Sequence, residues 1–284
     1  MYRKDHIRIL IEQKHLTIRG IKICYEEVNP DKEKTLLFIH GNSISSKTWK
    51  KQLSSNTLTN YRLIAIDLPA HGDSDPSADP DTDYSLPGLG KILAEAINSL
   101  INNKHFILIG LSLGSNILAE ALAHTSTPLG IVLAGSCIVG GEVTVESFMK
   151  PDTNVFVVFT DDATEIEIRN YAYEVIRSAR INDIAQFVFD YKRVKIPFRT
   201  ALNTSIKNAD YSNEISLLSG TNLPLLIIFG ENDKIIDPNY LDDVKLPFWK
   251  GKVHRIPKAG HLVHLDHPIQ FNLLIASYAQ EMFS

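Results

Sequence analysis

Cysteine is scarce in this chain. Two thiols, Cys24 and Cys137, stand among 284 residues, far apart and without the close spacing of a metal-binding motif. A disulfide framework is thereby excluded, and a reducing compartment is expected. No run reaches the roughly 18 apolar residues that a membrane span needs. The opening stretch, MYRKDHIRILIEQKHLTIRG, is charged throughout and lacks the apolar core of a secretion signal. Neither sign of charge dominates: 29 Lys and Arg stand against 33 Asp and Glu, a net charge of -4 with no basic block. Such a balance offers no electrostatic footprint for nucleic acid. Internal repeats and low-complexity linkers are also absent. These absences lead us to expect a cytoplasmic protein with no nucleic-acid partner and no membrane span.

What is present is ordinary globular material, 44% hydrophobic and 22% charged, enough for a substantial core. Residues 15–19 and Ile21–Val28 flank Gly20 and read as a hairpin, the second strand alternating at Ile21, Ile23 and Tyr25. Short, nearly continuous apolar runs follow at 36–39, 63–66, 106–109, 131–134 and 225–229. Strands buried on both faces have this composition, because helices cover both sides of a parallel sheet. Helical periodicity lies between them: Leu89, Ile92, Leu93, Ala96, Ile97 and Leu100 recur at i, i+3, i+4, residues 115–124 are rich in Ala and Leu, and 271–278 form a last helix. The alternation predicts an α/β fold with a doubly wound, mostly parallel sheet flanked by helices.

One stretch breaks the alternation. Residues 136–215 read mostly as helices, such as 163–178 and 181–190, and hold ten of the chain's Phe and Tyr residues. A helical insertion between two strands would sit over the carboxyl edge of the sheet, where ligands of open α/β sheets bind. Most of its aromatics are expected to pack the insertion's own core, with about a third facing a pocket.

A serine stands at the join of a predicted strand and helix, in Gly110-Leu111-Ser112-Leu113-Gly114. The plainer reading is a residue easing a tight turn. The sharper one is a nucleophile elbow, G-x-S-x-G, in which the strained turn pushes Oγ outward. Side chains at the glycine positions would crowd that turn, and the following helix aims its unpaired N–H groups at the reacting centre. A serine hydroxyl is a poor nucleophile near neutral pH and needs a base, which in turn needs an orienting acid.

The candidate acid follows the strand at 225–229, in Phe229-Gly230-Glu231-Asn232-Asp233. Asp233 is preferred; Glu231 and Asp237 are nearby alternatives whose plainer role is turn-making or helix capping. The candidate base is His261, just past a strand predicted at 253–256, with His264 and His267 as rivals. An oxyanion needs donors already aimed at it. Leu113 follows the serine and offers one backbone N–H. The loop after the strand at 36–39, His40-Gly41-Asn42-Ser43, offers the other at Asn42. Its plainer reading is a strand-ending turn in which His40 and Asn42 only bond the loop.

Together these pieces resemble the α/β-hydrolase superfamily, in its serine-nucleophile, cap-bearing, carboxylesterase-like branch. The motifs are HGNS at 40–43, DLPAHGDSD at 67–75, GLSLG at 110–114, GENDKIIDP at 230–238 and GHLVHLDHP at 260–268. They span nearly the whole chain in the family's order. The resemblance implies a triad of Ser112, Asp233 and His261, an oxyanion hole at Asn42 and Leu113, and no metal or organic cofactor. It implies a hydrolase core at 1–135 and 216–284 and a helical cap at 136–215. The second motif usually reads D-x-P-G-x-G-x-S; here Ala70 replaces the first glycine, and Asp67, His71 and Asp73 are read as scaffolding.

The implied activity is hydrolysis of carboxylic esters of small to medium apolar substrates through an acyl-enzyme. The His-Gly-Asn triplet also looks like that of haloalkane dehalogenases, but those, like the related epoxide hydrolases, use a carboxylate at the elbow, where this chain has Ser112. Carbon–carbon bond hydrolases, lactonases, perhydrolases and acyltransferases share the elbow and stay open. From another class, a ligand-binding receptor or sensor with slow or no turnover is the main rival. A small-molecule ester is the expected partner, and a homodimer is open.

Overall fold

The computed structural model describes residues 10–103 and 105–284; the first nine residues of the charged opening stretch lie outside the described residues. Eight strands among them form one sheet: β1 (Glu12–Ile18), β2 (Ile21–Val28), β3 (Thr35–Ile39), β4 (Arg62–Ile66), β5 (Phe106–Leu111), β6 (Gly130–Ala134), β7 (Leu225–Gly230) and β8 (His254–Ile256). Their spatial order is β1-β2-β4-β3-β5-β6-β7-β8. The first two strands join antiparallel and the other six run parallel. Every residue of β3, β5, β6 and β7 is buried, as their unbroken apolar runs require.

The hairpin turns at Arg19 and Gly20, both with positive φ, the geometry that matches the twist of the flanking strands. Its first strand starts earlier than the apolar pattern indicates. Glu12, Gln13 and Lys14 pair with Glu27, Glu26 and Tyr25, so a polar edge extends the ladder.

Short helices α1 (Lys50–Leu53) and α2 (Pro80–Asp83) precede α3 (Leu86–Leu100) and α4 (Leu113–Ala121). Helix α4 starts two residues before the apolar pattern, because Ser112 already leaves the strand. Between β6 and β7 lie α5 (Val145–Phe148), α6 (Glu165–Val175), α7 (Ile181–Arg193), α8 (Phe198–Lys207) and α9 (Glu214–Gly220). Helix α6 is shorter than the 163–178 span at both ends. It starts at Glu165 because Thr164 and Glu167 close a reciprocal capping box: the Thr164 N–H donates to the Glu167 carboxylate (2.7 Å) and the Glu167 N–H to Thr164 Oγ1 (3.3 Å); it stops at Val175 because Ile176 turns extended. Helices α10 (Val263–Asp266) and α11 (Pro268–Met282) end the described chain. Among the described residues no helix is long and apolar enough to cross a membrane.

Two devices hold the sheet where the site is built. The Asp67 carboxylate accepts from the N–H groups of Ser46 (2.7 Å) and Asp73 (2.9 Å), pinning the loops after β3 and β4 together. Within that turn Ala70 takes φ +66°, a left-handed conformation that glycine adopts without a Cβ clash. At the other side, the Tyr278 hydroxyl of α11 accepts from the Ile131 N–H (2.8 Å) and donates to the Pro224 carbonyl. Replacing Tyr278 with Phe leaves the Ile131 N–H orphaned in the core. The expected cost is about 1–3 kcal/mol in a denaturant titration, and an unchanged midpoint would remove the hydroxyl from the structure's support.

Candidate active site

Ser112 sits where β5 passes into α4, with φ +51° and ψ -123°. A non-glycine residue in that region is strained, and the surroundings over-determine it. The Ser112 N–H donates to the Ala134 carbonyl of β6 (2.9 Å), extending the ladder one residue beyond the strand. Space around the turn is closed: a Cβ on Gly110 would lie 2.6 Å from the Gly114 carbonyl oxygen, and one on Gly114 would lie 2.6 Å from that of His40. Only glycines fit there.

His261 stands in the loop after β8, and its Nε2 is 2.9 Å from Ser112 Oγ. Its Nδ1 is 2.8 Å from Asp233 Oδ2. The carboxylate is acceptor-only, so Nδ1–H donates to it, and Nε2 is left to accept the serine hydroxyl. Asp233 is itself held, its Oδ1 accepting the N–H groups of Ile235 (2.8 Å) and Ile236 (3.1 Å). The ring lies close over Gly135, where a Cβ would come 3.2 Å from the imidazole.

The rival residues lie elsewhere. Glu231 is exposed. Asp237 Oδ1 accepts from the backbone and side chain of Asn239, a turn cap. His264 is buried against Trp49, with Nε2 at 2.8 Å from Thr48 Oγ1, and burial pushes its pKa down to about 3. His267 precedes Pro268 at the start of α11.

Asn42 and Leu113 both line the cavity onto which Ser112 opens. Among the described residues neither backbone N–H donates to a protein acceptor. His40 and His71 stand behind the Asn42 loop as neutral spacers. Burial lowers both pKa values, and each ring accepts a backbone N–H at Nε2: Leu68 to His40 (3.0 Å) and Ser43 to His71 (3.2 Å).

The cavity wall is mainly apolar, and five of the insertion's ten Phe and Tyr residues face it: Phe148, Phe159, Tyr171, Phe187 and Tyr211. That share exceeds the expected third: Phe148 comes from α5, Tyr171 from α6, Phe187 from α7, Phe159 from the segment before α6 and Tyr211 from between α8 and α9. The Cys137 Sγ lies 3.6 Å from Ser112 Oγ, and burial pushes its pKa up to about 12, so it is a neutral thiol.

A family model described as the alpha/beta hydrolase family matches residues 36–272. The chain belongs to that family. Among relatives of this α/β-hydrolase, an sn-1-specific diacylglycerol lipase of Mus musculus is 22% identical over 94% of this chain and 88% of its own. A 2-hydroxy-6-oxononadienedioate/2-hydroxy-6-oxononatrienedioate hydrolase of Cupriavidus pinatubonensis is 20% identical, over 86% of each chain. Among solved structures, a mutant of the N-acyl homoserine lactonase AidH, complexed with N-hexanoyl homoserine, superposes with a TM-score of 0.87 at 25% identity, covering 96% of this chain and 98% of its own. These neighbours support hydrolase activity for this α/β-hydrolase.

Tyr171, one of the insertion's aromatics, lines the cavity from α6, with burial holding its phenol protonated. Sequence reasoning passed over two polar residues, one at the cavity wall and one behind it. Asn116, one helical turn beyond Ser112, donates through Nδ2 to the Cys137 carbonyl and to Glu214 Oε2, both at 2.8 Å. Behind it, the buried Glu214 also accepts the Val139 N–H (2.9 Å), while its other oxygen has no partner. Burial raises the Glu214 pKa from 4.5 to about 8. Because the folded state holds the proton more tightly, the stability linked to Glu214 is full below its unfolded pKa and is lost as pH rises through about 8. The melting temperature of Glu214→Gln, relative to wild type, should therefore rise between about pH 5 and pH 9; a flat difference would show that the folded protein does not retain this proton.

Proposed function

We propose that this α/β-hydrolase is a serine hydrolase that cleaves carboxylic esters of small to medium apolar substrates through an acyl-enzyme. The observation that carries the reading is the continuous Ser112–His261–Asp233 hydrogen-bonded chain, opening onto an apolar cavity. In this reading residues 136–215 are the cap, and their aromatic side chains receive the acyl or alcohol portion.

His261 takes the Ser112 proton as Oγ attacks the ester carbonyl. The tetrahedral oxyanion is held by the N–H groups of Asn42 and Leu113, each worth about 3 kcal/mol in the transition state. Protonated His261 then gives its proton to the leaving alcohol, and the acyl group stays on Ser112. Water, deprotonated by the same imidazole, attacks the acyl-enzyme and releases the acid. Asp233 fixes the tautomer and stabilises the imidazolium. These steps call on no metal or organic cofactor.

A second reading is favoured by the lactonase likeness. A lactone is an internal ester, opened by the same steps with its alcohol still tethered. Asn116 uses its amide hydrogens on Cys137 and Glu214, leaving its carbonyl oxygen as an acceptor at the cavity wall for a polar substrate group.

The test is hydrolysis of p-nitrophenyl esters from acetyl to long acyl chains, with an N-acyl lactone alongside. We expect activity to peak at one chain length and to vanish in Ser112→Ala while the fold persists. Retained activity in that variant would remove the serine from the mechanism. Asp233→Asn should lower kcat by about 10⁴-fold through the wrong tautomer, whereas Asp237→Asn should be near neutral; the reverse order would assign the acid to Asp237.

A further inference from the structure

Arg199 is an expensive residue to bury. Its side chain, on α8 of the insertion, is 4% exposed, beside an Asp161 carboxylate that is itself 9% exposed. Removing two charges from water is costly, and well-packed apolar residues often replace such a pair without loss of stability. Stability alone is thus a weak account of it. Its contacts give a better one. Nη1 donates to Asp161 Oδ1 (3.2 Å), Nη2 to the Tyr191 carbonyl (2.5 Å), and the guanidinium lies 3.7 Å from the Tyr191 ring centre. These hold the head of the side chain on the insertion. The third nitrogen, Nε, points to the sheet edge and donates to Ser43 Oγ (2.9 Å).

That bond sets the direction of its neighbours. Ser43 Oγ accepts from Arg199, so its own hydrogen goes to Asn42 Oδ1 (3.0 Å). The other end of the Asn42 amide, Nδ2, donates to the Val158 carbonyl (2.7 Å), again on the insertion. Ser45 Oγ donates to Asp190 Oδ2 of α7 (2.9 Å). The polar side chains of this loop therefore bond the insertion, while its backbone N–H groups at Ser43 and Ser46 bond His71 and Asp67 of the sheet loops. The loop is clamped between two bodies, and Asn42 is held at both ends of its carboxamide.

We infer that Arg199 is a positioning residue: through Ser43 it fixes the Asn42 peptide whose N–H receives the oxyanion. The inference rests on the serine-hydrolase reading for its kinetic consequence. Its structural part, the Arg199–Ser43–Asn42 link, stands apart from that reading.

The experiment compares Ser43→Ala, Arg199→Met and the double variant with wild type on the p-nitrophenyl ester that wild type cleaves best. Ser43→Ala keeps the Cβ and leaves the buried ion pair intact, so it reports even if Arg199→Met does not fold. In each single variant kcat should fall about ten-fold or more, with KM within about two-fold, because the donor acts on the transition state. The double variant should fall no further than the worse single one, as expected of residues acting in one chain. Hydrogen exchange at the Ser43 amide, which donates to His71 Nε2, should quicken in both single variants. Wild-type kcat and wild-type exchange in Ser43→Ala would overturn the inference, as would additive losses in the double variant. If wild type cleaves no ester or lactone, the hydrolase reading fails, and the exchange rates still decide whether Arg199 holds the loop.

Discussion

Ser112 holds a left-handed backbone that its own side chain disfavours, and the geometry of the site depends on that one residue staying there. Nothing local stabilises such a φ. The ladder bond to Ala134 holds it from one side, and the carbonyls around Gly110 and Gly114 close the space into which the turn would relax. Strain at a functional position persists only where the surroundings over-determine it, and here the central parallel strands supply the rigidity. The same turn that lifts Oγ also begins α4, so the N–H of Leu113 and the hydroxyl of Ser112 are set by one backbone conformation.

The other half of the site is built from loops. His261 and Asp233 come from loops after the edge-side strands β7 and β8, and each is tied down by neighbours that are not part of the hydrogen-bonded chain to Ser112. Asp266 accepts the N–H groups of Gly260 (2.7 Å), Arg177 (3.1 Å) and Ser178 (2.7 Å), joining the His261 loop to the end of α6. Lys150 donates to the Asp233 carbonyl (2.6 Å) from the segment after α5. The insertion thus touches each functional loop by charge-assisted bonds, on the Asn42 side through Arg199 and on the His261 side through Asp266.

The fold was legible because buried parallel strands leave unbroken apolar runs, and glycine-flanked Ser112 lies at the junction of one such run with a helix. The positions of Asp233 and His261 followed from chain order and from turn residues after strands. Other features left no periodic trace. The polar start of β1 is an edge whose pairing depends on the partner strand, not on its own pattern. Asn116 looks like any residue inside an Ala- and Leu-rich helix, and only the packed structure turns it to the cavity. Arg199 and Asp161 lie 38 positions apart in sequence, with nothing in either neighbourhood to mark a buried pair. Long-range polar contacts of this kind are fixed by tertiary packing, which single-chain periodicity does not encode.

The strand order has a consequence for how the two halves of the site meet. Ser112 and the loop of Asn42 precede the insertion in the chain, and Asp233 and His261 follow it. β7 adds to the sheet beside β6 and β8 beside β7, in chain order. The Ser112 hydroxyl therefore has no imidazole beside it until β8 is in place. The hydrogen-bonded chain from Ser112 through His261 to Asp233 closes only when the edge strand of the sheet is added.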